Sequence, residues 1–177
     1  MSFLDRLFGR STAPAPQSWP RLYLVPTGLD PMESGDNKLM RGFFIRDTST
    51  DRSVSHQQLS ELVPGAFVFN VAGTSHRQAA LQGPSFAPGK PVQLIPEPNN
   101  PHDRNAVAVW DTSRRRHIGY VPKELAPTVG QMYRGREQFG ATTFFEFLQG
   151  SRRIALSVLV GPANFLQTLT IEDEEDA

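Results

Sequence analysis

Apolar residues alternate with polar or small residues in short runs along most of the chain, a period of two that is typical of β-strands. Gly, Pro, Asn and Asp separate these runs at close intervals, which predicts tight turns between short strands. Such a pattern favours a mainly β fold, a small barrel or sandwich with few helices. The predicted strands are residues 21–25, 42–46, 66–72 and 91–95 and two hairpins, 106–110 with 117–121 and 142–148 with 154–160.

Two Ser-x-x-Gln runs have the spacing of a helix capping box. Ser55 and Gln58 predict a helix that ends near Val63. Ser75 and Gln78 predict a second, shorter helix that reaches about Leu81. Residues 123–134 are predicted to be partly helical with an irregular start, since Pro127 cannot donate a backbone hydrogen bond.

Composition divides the chain into four regions. Residues 1–19 predict a disordered N-terminal segment and Pro/Ser-rich linker, in which Phe3, Leu4, Leu7 and Phe8 fit one face of a short helix. That helix is either a frayed terminus or a docking peptide. Residues 20–63 predict a small N-terminal extension, and residues 64–165 predict the main β domain. Residues 166–177 predict an acidic C-terminal tail.

A net charge of zero hides a separation of charge along the 177 residues. Residues 64–171 hold 11 Lys and Arg against 6 Asp and Glu, whereas residues 172–176 are all acidic. The main domain is therefore mildly basic and suited to a polyanion. The chain has no Cys, which excludes disulfides and thiolate chemistry. No apolar run is long enough to span a bilayer, no signal peptide is visible and no phosphate-binding loop of a motor occurs, so a cytoplasmic non-motor protein is expected.

Two polar runs lie next to predicted strands and have the composition of a recognition site. Asn99-Asn100-Pro101-His102-Asp103-Arg104-Asn105 forms a polar turn directly before the strand Ala106-Val107-Ala108-Val109. Ile118-Gly119-Tyr120-Val121-Pro122-Lys123-Glu124-Leu125-Ala126 is a strand that ends at a proline. A carboxylate, an imidazole and two amides on one turn, backed by a rigid sheet, predict a binding rim.

These two runs, preceded by Val71-Ala72-Gly73 and Val92-Gln93-Leu94, resemble the HIRAN domain family in residues and in order. The resemblance covers roughly residues 66–161. It implies an OB-like β-barrel with small helices. It also implies a non-catalytic module that binds the free 3′-hydroxyl end of single-stranded DNA in repair or replication. The chain carries no motor motif, so a separate helicase, nuclease or other protein is the expected protein partner.

The resemblance assigns roles to the residues of the first run. Asp103 matches the aspartate that accepts the terminal 3′-hydroxyl. His102 stands where many members have a tyrosine. Asn99 and Asn100 match the amides that shape the turn. The residues alone leave an alternative, in which Asp103 only caps its own turn through a local hydrogen bond.

The resemblance also assigns roles to residues in two other segments of the chain. Tyr120 and Lys123 match residues that line the groove, with Lys123 as a phosphate contact. Ser75 and His76 align with a basic–aromatic pair that grips the terminal nucleotide. Ser75 cannot replace an arginine on a phosphate, so Arg77, the residue that follows the Ser75–His76 pair, is predicted to substitute for it.

Two other functions compete with DNA binding. A protein-interaction module would use the same groove for a partner's peptide. A hydrolase would use His76, His102, Asp103 and His117, but no metal-ligand spacing supports it, and neither a cofactor nor a metal is predicted. Arg114, Arg115 and Arg116 at the predicted hairpin tip are interpreted as a solvated loop.

Overall fold

A computed structural model describes residues 18–32, 38–134 and 138–171. The predicted N-terminal helix at residues 3–8 and the acidic run 172–176 lie outside these described residues. Short strands dominate the rest, and the prediction of a mainly β fold with short helices is confirmed. The strands are β1 Leu22–Pro26, β2 Asp30–Pro31, β3 Lys38–Asp47, β4 Phe67–Asn70, β5 Val92–Pro96, β6 Val107–Asp111, β7 His117–Tyr120, β8 Phe139–Gln149, β9 Arg152–Pro162 and β10 Thr170–Ile171. The helices are α1 His56–Leu62, α2 Gln78–Leu81, α3 Ala126–Met132 and α4 Ala163–Leu166, with 3₁₀ turns at Thr74–Arg77 and Pro84–Phe86.

Two sheets are joined into a ring of strands. The larger sheet has the order β10-β1-β3-β8-β9-β4, with β2 on β3, and the smaller has the order β5-β6-β7. Isolated bridges between Ala72 and Tyr120 and between Pro91 and Thr142 connect the two sheets. The resulting circuit β4-β7-β6-β5-β8-β9 is an OB-like arrangement, which agrees with the prediction.

The interior of this ring is the first of two cores. Alternate residues of β5, β6 and β9 point inward, because successive side chains of a strand lie on opposite faces. Leu94, Val107, Val109, Ile118 and Leu156 are all at most 3% exposed. This apolar filling supports the smaller sheet from its inner side.

The second core lies between the larger sheet, α1 and α4, and it includes most of the N-terminal extension. Leu22, Ile45, Leu59 and Phe165 are buried there. Strand β3 pairs with β8, so residues 20–63 continue the sheet of the main domain. Residues 170–171, in the region assigned to the tail, pair with β1 in parallel. Among the described strands, none from 20–63 pairs with β5, β6 or β7.

One of the two predicted capping boxes is present. Gln58 N donates to Ser55 Oγ and Ser55 N donates to Gln58 Oε1, so α1 begins as predicted. The second box is wrong: Gly73, at φ 76°, precedes a 3₁₀ turn, and Ser75 makes no capping bond. Gln78 instead donates to the carbonyl of Thr74, because this segment is held by contacts to β9.

The remaining local predictions agree with the structure. Both hairpins form, and the second is longer than predicted, with 11 residues in each of β8 and β9. Helix α3 begins only at Ala126, with Pro127 in its first turn, where a missing N–H costs nothing. The preceding residues form an irregular turn, as the position of Pro127 predicts.

Candidate nucleic-acid interface

The polar turn between β5 and β6 is closed by its own hydrogen bonds. Glu97 N donates to the carbonyl of Ala106 at 2.8 Å. Asn100 organises the interior: its Nδ2 donates to Glu97 Oε2 at 2.8 Å, and its Oδ1 accepts from the backbone N of His102 at 3.0 Å and of Asp103 at 3.3 Å. Asn100 therefore determines the shape of the turn from within.

Asp103 is half-buried in this turn, and its two carboxylate oxygens differ. Oδ1 accepts from the backbone N of Asn105 at 2.8 Å, so the local capping bond is present. Oδ2 has no hydrogen-bond partner among the described residues. The carboxylate is thus oriented by one bond and retains one acceptor for an incoming donor.

Three of the other predicted site residues are exposed to solvent. Asn99 and His102 are exposed on the turn, and Lys123 is exposed just beyond β7. The backbone N of Val121 donates to Val107 at 2.9 Å, which is where the polar turn rejoins the sheet. Register therefore brings the segment from Tyr120 to Lys123 to the same end of the small sheet as the turn.

The outer face of the small sheet carries a row of aromatic rings. Tyr120 pairs with Ala108 and His117 pairs with Trp110, on the face opposite Val109. The Trp110 and His117 rings stack with centroids 5.0 Å apart and planes at 16°. Tyr120 meets His117 edge-on at 4.7 Å. Stacked rings on a sheet are the platform that single-stranded nucleic-acid binders use for bases.

Three arginines and a histidine lie at the Trp110–His117 end of this row. A pocket of about 400 Å³ is lined by His76 and Arg77 from the 3₁₀ turn and by Arg115 and Arg116 from the β6–β7 hairpin, together with Trp110 and His117. Ser75 is exposed next to it but does not line it. Of the predicted site residues, the structure brings His76 and Arg77 together here and places the Asp103 turn at the other end of β6.

The tip of the β6–β7 hairpin is a solvent-exposed loop whose backbone is held by Asp111. Buried Asp111 accepts from the backbone N of Arg115 at 2.9 Å and of Arg116 at 3.2 Å through Oδ1, and from Ser113 Oγ through Oδ2. Burial raises the pKa of Asp111, but these hydrogen bonds and the charge of Arg116 together outweigh it and hold the pKa below its usual value. The expectation of a solvated loop at Arg114–Arg116 agrees with the exposure of all three residues, and the bonds to Asp111 fix the backbone that carries Arg115 and Arg116.

The segment that carries His76 and Arg77 is anchored from two sides. Ala72 and Tyr120 exchange backbone hydrogen bonds of 2.8 and 2.9 Å just before it. After it, the buried Arg153 guanidinium donates to the carbonyls of Leu81 at 2.5 Å and Gly83 at 3.1 Å. The segment's position against β7 is thus determined by the barrel.

Sequence reasoning did not single out Trp110. It is the fourth residue of an apolar strand, and its outward direction follows only from the register of β6 with β5 and β7. A bulge between Val109 and Trp110 turns its ring toward His117. The sequence did hold one signal for this direction. Val107 and Val109 are apolar and point inward, and Trp110, the next residue in the strand, must therefore point to the opposite face.

His117 is buried in the aromatic row, and its environment alters its titration. Burial lowers the pKa of His117, and the nearby Arg77 lowers it further, whereas its bond to Gly119 and the charge of Glu97 act in the opposite direction. Its Nε2–H donates to the carbonyl of Gly119 at 2.7 Å. The ring is therefore neutral at neutral pH and stacks as an uncharged aromatic.

A lowered pKa in the folded state makes stability depend on pH. Below about pH 6.5 the unfolded chain takes up a proton at His117 that the folded chain does not, so the free energy of unfolding falls as the pH decreases. We expect this loss between pH 7.5 and 5.5 in urea titrations, and a smaller loss for His117→Gln, which retains a donor to Gly119. His56, whose pKa burial also lowers, accounts for the rest. Equal losses in both proteins would contradict this assignment.

The described residues hold neither a metal-binding cluster nor a membrane-spanning helix. Within residues 18–32, 38–134 and 138–171, no group of three or more His, Asp or Glu is placed to hold a metal ion. The four residues of the hydrolase hypothesis do not converge, since His117 is committed to Gly119 and Asp103 lies in the separate turn. No helix in the described ranges has the length and apolar character needed to cross a membrane.

A small OB-like barrel with an aromatic, cation-rimmed outer sheet face is the architecture of a nucleic-acid-binding module. The family model of the HIRAN domain matches residues 64–158, more than half of the chain. The protein belongs to the HIRAN domain family. The HIRAN domain is known for DNA binding and is not known as a catalytic domain.

Two solved structures are similar to this chain. The HIRAN domain of human HLTF has a TM-score of 0.41 and 21% identity, over 58% of this chain and 81% of its own. A protein from Lactobacillus plantarum has a TM-score of 0.41 and 16% identity, over 55% of this chain and 99% of its own. No curated protein matches the sequence.

Proposed function

We propose that this HIRAN domain binds single-stranded DNA and selects strands that end in a free 3′-hydroxyl. The proposal depends on one observation: the Asp103 carboxylate is held by Asn105 through Oδ1, while Oδ2 lacks a partner among the described residues. A terminal hydroxyl donates to such a carboxylate in a charge-assisted bond, which is stronger than a neutral one. The domain contributes recognition, and a separate helicase or nuclease contributes the chemistry in repair or replication.

Repulsion supplies the selectivity. A 3′-phosphate, or the phosphodiester of a continuing strand, brings a negative charge to within about 4 Å of the carboxylate, which costs about 1 kcal/mol in water and about 4 kcal/mol at the effective dielectric of a protein surface. About 1.4 kcal/mol corresponds to a factor of ten in affinity. We therefore expect a preference of about tenfold or more for the hydroxyl end.

The other proposed contacts support the strand around this end. His102 and Tyr120 offer aromatic faces to bases, and Asn99 extends the polar rim. Lys123 is an exposed cation at the same end of the small sheet as Asp103 and suits a phosphate oxygen near the strand end, whereas Arg77 is exposed at the opposite end and suits a phosphate further along the strand. His76 joins Arg77 on the 3₁₀ turn, whereas Ser75 contributes at most a hydroxyl bond, because it carries no charge.

Oligonucleotides with different ends test the proposal. Binding is measured for one single-stranded sequence with a 3′-hydroxyl or a 3′-phosphate and for a blunt duplex, each at two salt concentrations. The hydroxyl strand should bind about tenfold or more tightly than the 3′-phosphate strand at both salts, and also more tightly than the blunt duplex. Equal binding to all three would reduce the domain to an unselective polyanion binder. Binding of none, together with capture of a peptide in the same groove, would favour the protein-interaction function.

A further inference from the structure

The pocket between the hairpin tip and the 3₁₀ turn is separate from the Asp103 turn. We call it the hairpin-tip pocket, formed by His76, Arg77, Trp110, Arg115, Arg116 and His117. It lies at the Trp110 end of β6, three residues from Val107, where the polar turn joins the sheet. At about 3.4 Å per strand residue the two ends of the face are roughly 10 Å apart.

We propose that the hairpin-tip pocket is a second nucleotide subsite, which binds the phosphate and base of the DNA strand on the 5′ side of its terminal nucleotide. This inference rests on the proposed function, because it continues the strand whose end Asp103 would select. Roughly 10 Å is the length of about three stacked nucleotides at 3.4 Å each. A strand that leaves the polar turn along Tyr120 therefore reaches Trp110 within a few nucleotides.

Charge identifies the ligand as an anion. No Asp or Glu lines the pocket, and the nearest carboxylates are already engaged: Asp111 by the hairpin backbone and Glu97 by Asn100. The guanidinium groups of Arg77 and Arg115 are exposed and make no ion pair with any residue that the structure describes. Uncompensated cations around a concave surface raise the local concentration of phosphate.

The aromatic wall distinguishes a nucleotide from a simple phosphate or an acidic peptide. The Trp110 indole is half-buried, backed on one side by His117 at 5.0 Å, and it lines the pocket. Its orientation is fixed by the strand and by this stack, so little conformational entropy is lost when a base stacks on it. A flat, held ring beside arginines is the combination used for single-stranded bases and their phosphates.

Arg116 closes the pocket against the helical segment. A Cβ built on Gly83 would lie 2.5 Å from a terminal nitrogen of Arg116, so this guanidinium rests directly on the Gly83 backbone. Gly83 is also bound by Arg153, which anchors the segment to the barrel. Arg116 is therefore held against an anchored segment, and Arg77 and Arg115, whose side chains are exposed, line the same pocket.

A length series tests the subsite. Binding of thymidine dinucleotides and hexanucleotides with 3′-hydroxyl ends is compared in the wild type, Trp110→Ala, Arg115→Ala and the exposed control Arg52→Ala. The wild type and the control should bind the hexamer at least about tenfold more tightly than the dimer, in line with the energy of one stacked base. Trp110→Ala should lose this gain. Arg115→Ala should reduce the slope of log affinity against log salt for the hexamer by about 0.7, the loss of one phosphate contact.

Fluorescence gives a readout that does not need a variant in the pocket. Trp19→Phe leaves Trp110 as the single tryptophan, and Trp19 lies in the other core against Phe165. The hexamer should quench Trp110 emission, and the dimer should leave it unchanged. Quenching by neither oligonucleotide would overturn the subsite.

The outcomes separate the two proposals. A length gain that survives Trp110→Ala, or displacement of the hexamer by a polyglutamate peptide of equal charge, would overturn the subsite. The proposed function is judged independently, from the preference of the wild type for a 3′-hydroxyl over a 3′-phosphate on the dimer alone. A preference without a length gain contradicts only the subsite, and a length gain without a preference contradicts only the selection of ends.

Discussion

Glu146→Gln is expected to lower the free energy of unfolding by about 3 to 5 kcal/mol, because removal of one partner from a buried ion pair leaves the other charge uncompensated. Glu146 is fully buried and accepts from Arg153 Nε at 2.6 Å and from Arg41 Nε at 2.7 Å. Arg153 is 8% exposed and cannot reach water without leaving the carbonyls of Leu81 and Gly83. Urea denaturation measures the loss.

The two arginines of this network should differ in importance. The Arg41 side chain is 51% exposed, so Arg41→Gln should cost at most about 1 kcal/mol, as a surface ion pair does. Replacing Glu146 and Arg153 together by methionine should restore most of the stability lost in Glu146→Gln, since no charge remains buried. A loss below about 1 kcal/mol in Glu146→Gln would show that water reaches Arg153 and that the segment bearing Arg77 is not anchored as described.

Gly119→Ala is expected to cost about 3 kcal/mol through backbone strain and the loss of hydrogen bonds. Gly119 has φ 149°, which side chains rarely adopt, and a Cβ there would overlap the carbonyl oxygen of Ala72. The variant must therefore break the Ala72–Tyr120 bridge that closes the barrel beside the candidate interface. Both the unfolding free energy and the affinity for DNA should fall.

Two other glycines serve as controls for this substitution. Gly28 has no atom within 4 Å of a built Cβ and no positive φ, so Gly28→Ala should change stability by less than about 0.5 kcal/mol. Gly73 has open space but φ 76°, so Gly73→Ala should cost about 1 to 2 kcal/mol from the left-handed conformation alone. If Gly119→Ala cost no more than Gly73→Ala, the overlap with Ala72 would not determine the barrel closure.

The sequence predicts the strands well because period-two alternation reflects burial on one face of a sheet. The observed bounds lie within a few residues of the predicted ones for the five strands β5 to β9. The Ser75 box failed because Thr74 and Gln78 bond to neighbouring carbonyls instead of forming a cap. The sequence also does not predict how the ring of strands closes, because closure depends on isolated bridges between residues far apart in the chain.

The candidate site was predictable only where its residues are neighbours in sequence. The polar turn around Asp103 is recognisable because its amides and carboxylate are consecutive, and the resemblance to the HIRAN family assigns them roles. The convergence of Arg77, Trp110 and Arg116 arises from the packing of the 3₁₀ turn against β7, which no local pattern encodes. The sequence therefore predicts a candidate turn around Asp103, whereas the pocket that packing assembles is visible only in the structure.

The central claim is that the carboxylate charge of Asp103 selects the end of the strand, and Asp103→Asn tests it most directly. Asparagine keeps an oxygen that can accept from Asn105, so the turn retains its bond while the negative charge is lost. The measurement is the ratio of dissociation constants for a 3′-phosphate and a 3′-hydroxyl strand at one salt concentration. We expect a ratio of about ten or more in the wild type and close to one in Asp103→Asn. An equal ratio in both proteins would contradict the claim.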